Sequence, residues 1–454
     1  MHALRRQRLD GFSRMLRSQQ EVDLSNRQLG DEGFAYVVEA LAFNDVCEDA
    51  DFSGNGIGVK SAAALSEAAP KAQRLYGLSL ARNSVGDDGA KALGESMAEG
   101  VRSLETLNLC GNAIGNEGAK AIAEAVKQCK SLTALDLSQN AIDYEGVTAL
   151  AQALSESTSL QILNLNDNYV GMLGAVPLSN ALVNNSSLQE LFLNGNALGD
   201  DGCRAVCQGL LEHQGRITSL DLSNNGIGKE GAEHLHAYVQ GSSVVETLNV
   251  HMNELGDKGA ETFAPSIADH QSLVNLDIGA NNIRGHGATC IAHSLQNNNS
   301  ITNLVLGYNP IGPDGGMSLA QTVKHYGVVK ELWCGWGFIE DKGARAFADA
   351  MMYNSTMEVL DLRGNNIGDD GVKVIAASLQ RVNEKLKKLD MGYNKIRDDG
   401  AYALAQALKN NEDAVLEELT LNNNYITRFG AYALNEAVDL ALELNEAREM
   451  VVQF

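Results

Sequence analysis

Basic residues are scarce in this chain: 35 Lys and Arg stand against 58 Asp and Glu, for a formal charge of −23 over 454 residues. A surface that acidic repels phosphate backbones, which argues against nucleic acid and makes a basic protein the better partner. Proline is rarer, at 5 residues against 45 glycines, a balance that is neither collagen-like nor that of a disordered chain. No apolar run reaches the length of a signal peptide or a membrane span, so no membrane association is expected. Cysteine is sparse too. Cys47, Cys110, Cys129, Cys203, Cys207, Cys290 and Cys334 are odd in number and lack paired spacing. That usage fits a reducing compartment, most simply the cytoplasm, where the sequons at Asn184, Asn298 and Asn354 carry no meaning. A cytoskeletal or ciliary setting, or import into an organelle, is an alternative.

The few bases are unevenly spread. Residues 1–20 hold Arg5, Arg6, Arg8, Arg14 and Arg17 against Asp10 alone. Leu4, Leu9, Phe12, Met15 and Leu16 recur at roughly helical spacing, so this segment is read as an amphipathic N-terminal cap. The same arginine-rich, acid-poor start also suits the end of a transit peptide.

What is abundant is one repeated unit. The pattern L-x-L-x-x-N-x-I-G returns as "LNLCGNAIG" from Leu107, "LDLSNNGIG" from Leu220 and "LDLRGNNIG" from Leu360. Its asparagine falls at Asn55, Asn83, Asn112, Asn140, Asn168, Asn196, Asn225, Asn253, Asn281, Asn309, Asn365, Asn394 and Asn424, neighbours being 28 to 30 residues apart. Two registers lack it, Arg27 in the first repeat and Gly337 in the twelfth. The L-x-L stretch reads as a short strand with its leucines turned inward. The Asn amide satisfies backbone donors and acceptors where the chain bends, so stacked copies form a ladder. Six residues on comes Gly, replaced only by Ser61, and then usually Ala; a helix follows, clearest in "AKAIAEAVKQC" from Ala119. Asp and Glu before that Gly suit the helix N-terminus.

Strand plus helix, about fifteen times over, predicts an α/β solenoid. Parallel strands stack ~4.8 Å apart and helices need ~8–10 Å, which bends such an array into a horseshoe with strands concave and helices convex. The expected organisation is a cap over 1–20, repeats over 21–430, and a capping helix over 431–454.

This unit resembles the ribonuclease-inhibitor subfamily of leucine-rich repeats, on the period and on "LDLSNNGIG…EGA". The resemblance implies a horseshoe whose concave strands grip partner proteins. Relatives of that kind include the ribonuclease inhibitor, the sensor regions of innate immune receptors, the Ran GTPase-activating protein and repeat subunits of ciliary assemblies. The chain departs from the inhibitor in having few cysteines and one repeat type, so the fold and binding mode carry over and the target does not.

The residue between the strand leucines faces the concave side. It is Asp at Asp23, Asp51, Asp136, Asp221, Asp277, Asp361 and Asp390, a stripe suited to a basic partner, and aromatic at Phe192 and Trp333. Both tryptophans lie in the twelfth repeat, "ELWCGWGFIE", the one that lost its Asn to Gly337. Trp336 sits at the strand's C-terminal rim, in the register of Tyr308, Gly364 and Tyr393; stacking sets Tyr308 beside it and leaves a gap at Gly364. Exposed aromatics of this kind are typical hot spots, and the inhibitor also carries Trp at the strand position of Trp333. The alternative is that the Trp336 indole N–H replaces the missing amide. Trp333, Trp336, Tyr308, Tyr393, Asp361 and Phe192 are thus the candidate partner-binding residues; Arg363 and His251 face the same side.

Catalytic and metal signatures are weak. "GNGIG" at Gly54 is a ladder segment rather than a phosphate loop, and His286, Cys290 and His293 at helical spacing want a fourth ligand. The expectation is a non-enzymatic scaffold that needs no cofactor or metal and holds a partner protein on its concave face. One alternative is a structural subunit of a large assembly such as an axoneme, docked by its convex face or ends. The other is a regulator of a small GTPase, although the ending "ALELNEAREMVVQF" lacks the acidic tail of a Ran GTPase-activating protein.

Overall fold

Each L-x-L motif becomes a three-residue strand and each Ala-rich segment a helix, in strict alternation. The computed structural model describes residues 16–99, 103–380, 385–410, 415–444 and 450–454, which fall into two compact units, Met1–Asn225 and Gly226–Phe454. Most of the arginine-rich N-terminal segment lies outside the described residues.

In the first unit the strands run from Glu21–Asp23 to Ser219–Asp221, all parallel and in sequence order. Every pairing joins equivalent positions, so Leu78, Leu107, Leu135, Leu163, Leu191 and Leu220 lie side by side and buried. A one-residue slip would turn that row outward. The second unit repeats the arrangement from Thr247–Asn249, with Leu248, Leu276, Leu304, Leu332, Leu360, Leu389 and Leu419 aligned. Helices form the second layer. In Asn116–Gln128, Ala119, Ile122, Ala123 and Val126 are buried while Lys120 and Lys127 point outward to Glu117 and Glu124.

Three sets of cross-repeat hydrogen bonds hold the layers in step. The first is the expected Asn ladder. Asn140 Oδ1 accepts from the N–H groups of Asn112 and Ile114 in the previous repeat, each at 3.0 Å, and its Nδ2 donates to the carbonyls of Leu109 and Leu137. Arg27 departs from the pattern in the first described repeat, where the carbonyl of Leu24 accepts from the next rung, Asn55 Nδ2, at 2.8 Å.

The second set concerns the helix N-termini. The acids before the recurring Gly were expected to serve their own helix, but they reach the next one. Asp87 Oδ1 accepts from Gly115 N at 2.6 Å and Gly118 N at 2.9 Å; Asp257, Asp341 and Asp369 do likewise in the second unit. Gly118 must lack a side chain, because a β-carbon would come within 2.7 Å of both Asp87 Oδ1 and Ile114 Cγ2. Ser61, the exception, fits by donating its hydroxyl to Asp31 Oδ1 at 2.6 Å. That bond, with one from Gly58 N, holds the Asp31 carboxyl below its usual range.

The third set lies where helix returns to strand, and the sequence reading missed it. Asn185 Nδ2 donates to the carbonyls of Leu154 and Ser157, and its Oδ1 accepts from Ser187 N and Leu188 N. Asn298 and Asn354 occupy the same register, buried and bonded, so these two sequons are structural turns closed to a glycan in the folded chain.

The chain end differs from expectation. The last helix spans Arg428–Leu444, and Val451–Gln453 is a strand paired in register with Glu418–Thr420 rather than a continuation of the helix. The β-branched pair Val451–Val452 and the open edge of the preceding strand account for it.

Removing a ladder amide strands several backbone groups at once. Asn394→Ala should cost about 3 kcal/mol, a fall of roughly 5–10 °C in Tm for a unit of this size. Asn424→Ala, at a half-exposed rung where water can substitute, should cost about 1 kcal/mol. Equal losses in thermal unfolding would contradict this account.

Candidate binding site

Four neighbouring strands of the second unit, Asn303–Val305, Glu331–Trp333, Val359–Asp361 and Lys388–Asp390, carry most of the residues singled out from the sequence. Leu332 is buried, so Glu331 and Trp333 lie on the opposite face, and the register sets Trp333 between Val305 and Asp361. Most repeats hold Asp or Asn at this position for a local reason: the side-chain oxygen accepts the backbone N–H two residues on. Ser138 N donates to Asp136 Oδ1 at 2.8 Å, and Gly392 N to Asp390 Oδ1 at 2.8 Å. The acidic stripe is therefore a row of turn-closing acceptors. Val305 and Trp333 have no such oxygen and remain half-buried apolar side chains on an otherwise polar face. Phe192 is the counterpart in the first unit, half-buried between Asn164 and Asp221, and is not part of this group.

The rim is built by backbone conformation. The residue before the ladder position is left-handed, with φ of 60° at Tyr308, 60° at Trp336, 64° at Gly364 and 56° at Tyr393. Tyr308, Trp336 and Tyr393 are 58%, 37% and 52% exposed. The gap expected at Gly364 is filled: the Trp336 indole lies across it, where a β-carbon would collide with Cδ2 and Cε3 of the ring. From that seat Trp336 touches both tyrosines. Its centroid is 6.1 Å from Tyr308, with planes 13° apart, and 5.4 Å from Tyr393 at 47°. Phe338, 53% exposed at φ 56°, adds an aromatic that the sequence reading passed over; Asn282 and Asn366 hold its register nearby.

The indole does not replace the missing ladder amide, since it makes no hydrogen bond to the described residues. Ile311 N turns instead to the carbonyl of Asn309 at 2.7 Å, while Gly312 N keeps the bond to the carbonyl of the next ladder position, Gly337, that Gly256 N makes to Asn281. The adjustment is thus confined to one N–H, and the rest of the backbone pairing is kept. The same repeat carries Glu340 at φ 58°, a register where Gly199, Gly256 and Gly312 supply the left-handed residue elsewhere, at a cost of about 1 kcal/mol.

Asp361 corrects the sequence reading. It was taken as a solvent-facing acid, yet it is 1% exposed. Its Oδ1 accepts from Arg363 N at 2.9 Å, and its Oδ2 lies 2.9 Å from Arg363 Nε, out of line for a hydrogen bond. Burial pushes its pKa up to about 6, against the opposing pull of Arg363. Asp361 therefore underlies the site, and the group presented to solvent is Arg363, whose Nη1 also approaches Asp390 Oδ2 at 4.0 Å. His251 makes a similar pair with Asp277 at 3.0 Å.

The weak metal candidates sit elsewhere. His286 Nε2 is 3.9 Å from Cys290 Sγ and 3.6 Å from Glu261 Oε2, on an outer helix face. Cys203 and Cys207 are buried in the first unit with sulfurs 3.9 Å apart, and the hydrogen bond shared with Cys207, then burial, raises the Cys203 thiol well above its usual range.

A family model described as "Leucine Rich repeat" matches residues 78–94, 102–123, 128–151, 184–207, 217–235, 241–264, 297–320, 353–376 and 382–405. No curated protein sequence gives a significant match. Among solved structures, a leucine-rich-repeat protein of Leptospira interrogans is 16% identical, with 98% of each chain covered and a TM-score of 0.53. An internalin from Listeria monocytogenes is 16% identical, covering 94% of this chain and 95% of its own, with a TM-score of 0.44. At such identities the first of these likenesses is one of fold.

The buried carboxylate makes a signed prediction. Because the folded state holds the Asp361 proton more tightly than the unfolded chain, its contribution to stability is greatest below about pH 4 and falls as pH rises toward 6. Relative to wild type, Asp361→Asn should gain up to about 3 kcal/mol between pH 4 and pH 7.5. Chemical denaturation across that range checks it, and a constant difference would show that the carboxyl titrates normally.

Proposed function

We propose that this chain, nine stretches of which match a leucine-rich-repeat model and whose fold is a leucine-rich-repeat solenoid, is a non-enzymatic binding module which holds a partner protein on the strand face and rim of its second unit. The observation that carries this reading is the joined aromatic surface of Tyr308, Trp336 and Tyr393 beside Trp333. It occurs in the one mid-array repeat that gave up its ladder amide. A repeat that forgoes a stabilising bond and adopts a left-handed Glu in order to present rings to water is shaped for something other than its own packing. Flat, rigid aromatics supply contact area at low entropic cost and concentrate binding energy.

The subfamily belongs to the same proposal. The 28-residue strand-plus-helix unit supports a ribonuclease-inhibitor-like array, in which partners meet the strands. Among the described residues no helix is long and apolar enough to cross a membrane. We place the protein in the cytoplasm on its scattered cysteines, which form no disulfide among the described residues. A partner with basic character fits the carboxylates of Asp277, Asp390 and Glu331 around the rings, with Arg363 the cation to be displaced or paired.

The test is affinity capture from the native cell with wild type and with Trp333→Ala plus Trp336→Ala, followed by identification of the bound proteins. The double variant should lose a partner, with affinity reduced by about 30-fold or more, equivalent to about 2 kcal/mol, while the unfolding midpoint of the first unit is unchanged. Retention of every partner by the folded variant would remove the rim from consideration.

A further inference from the structure

One helix of the first unit breaks the rule of its neighbours. Gly171–Asn184 contains no charged residue, and between Lys130 and Arg204 the chain has no Lys or Arg at all. At the first outward turn of each helix, counting four, five and eight residues from the ladder Asn, neighbouring repeats carry Asp87, Asp88 and Lys91, or Asn116, Glu117 and Lys120, or Asp200, Asp201 and Arg204. This helix carries Met172, Leu173 and Val176, which are 44%, 61% and 46% exposed. Ala175, Leu178, Ala181 and Leu182 already fill its core side, so the outward three are surplus to packing. Tyr169, bridged by its backbone to Asp143, and Tyr144 at the start of the preceding helix enlarge the patch.

Asp87 and Asn116, in the register of Met172, accept the N-terminal N–H groups of the next helix. A methionine cannot, and the helix Gly199–Glu212 starts differently: Gly199 N donates to Asn225 O at 2.9 Å and Gly202 N to Leu198 O at 3.0 Å. The register is thus released from that duty, and three aliphatic side chains are exposed in one place. Around them the charge is net acidic. The preceding helix, Tyr144–Glu156, carries Glu145 and Glu156 and no cation, and the following one, Gly199–Glu212, carries Asp200, Asp201 and Glu212 against Arg204, which pairs with Asp201.

We propose that Met172, Leu173 and Val176, with Tyr144 and Tyr169, form a second interaction surface that takes a basic amphipathic helix of a partner protein. An apolar centre matches leucines spaced three and four apart, and the net acidic surround matches lysines or arginines on the flanks of such a helix. The surface lies in the first unit and does not depend on the aromatic rim of the second.

The experiment uses the full chain and a labelled peptide of about 18 residues made of Leu and Lys, its leucines on one helical face, with binding read by fluorescence anisotropy at physiological salt. The variant Met172→Asp, Leu173→Asp, Val176→Lys installs the residues that neighbouring repeats hold at the same register, so it should fold with an unchanged or higher Tm. It also adds acid, so lost binding reports the apolar contact. The variant should bind at least about tenfold more weakly than wild type, and Trp333→Ala plus Trp336→Ala should bind as wild type does. A permuted peptide of the same composition without an apolar face, and a Leu and Glu peptide with one, should both fail. Equal binding by the triple variant, or by either control peptide, would overturn the proposal. Wild-type self-association in sedimentation that vanishes in the triple variant would assign the surface to a second copy and overturn it as well.

Discussion

Parallel strands only three residues long leave a row of backbone N–H and C=O groups unpaired at each end, and nothing inside a single repeat can satisfy them. Everything else in the structure depends on the next repeat doing so. The Asn amide reaches backward to one strand end and forward to its own, the helix-start Asp reaches to the following helix, and an Asn beyond several of the helices, such as Asn185, closes the return turn on its neighbour. These bonds require the same atoms to come round at the same place. The spacing of 28 to 30 residues is therefore a geometric requirement, and in-register strand pairing follows from it.

A lattice of identical requirements makes departures informative. Where Gly337 replaces Asn, the backbone turns Ile311 N onto Asn309, and on the rim beside it the Trp336 indole lies across Gly364. Where Met172 stands in place of Asp, the next helix starts on backbone carbonyls alone and an apolar patch is exposed. In each case a residue that serves the array is missing beside exposed apolar side chains. Ser61 shows the contrast, since its hydroxyl restores the contact to Asp31 and the exception is structural.

Much of the fold was legible because it is written in side chains with one role each: the buried leucines, the ladder Asn, the Gly that a β-carbon would jam against Ile114. The candidate site was legible in part. Tyr308, Trp336 and Tyr393 share a register, so their proximity could be read. That Trp336 would occupy the place of Gly364 could not, because it depends on side-chain direction. Asp361 was misread for a related reason. Its strand position faces solvent in principle, but Arg363 lies close over it, and contacts between side chains two residues apart across a turn leave no mark in a periodic pattern. The closing strand Val451–Gln453 was misread because an apolar ending fits helix and strand alike, and only the open edge beside it decides.

The acidity of the chain has to be judged in the same terms. Asp136 and Asp390 close strand turns, Asp87 and Asp369 cap the next helix, and Asp398 holds Thr427 and Gly430, bonds that keep its carboxyl below the usual range. A good share of the net charge of −23 is therefore the consequence of stacking repeats that need acceptors, and by itself it says little about a partner. Cations are another matter. The array asks nothing of Lys or Arg, so their distribution is left free, and a stretch from Ser131 to Cys203 without one is not imposed by the fold. That stretch contains the helix whose outward turn is aliphatic. The missing cations, more than the many anions, mark where a positively charged chain can approach without meeting its own sign.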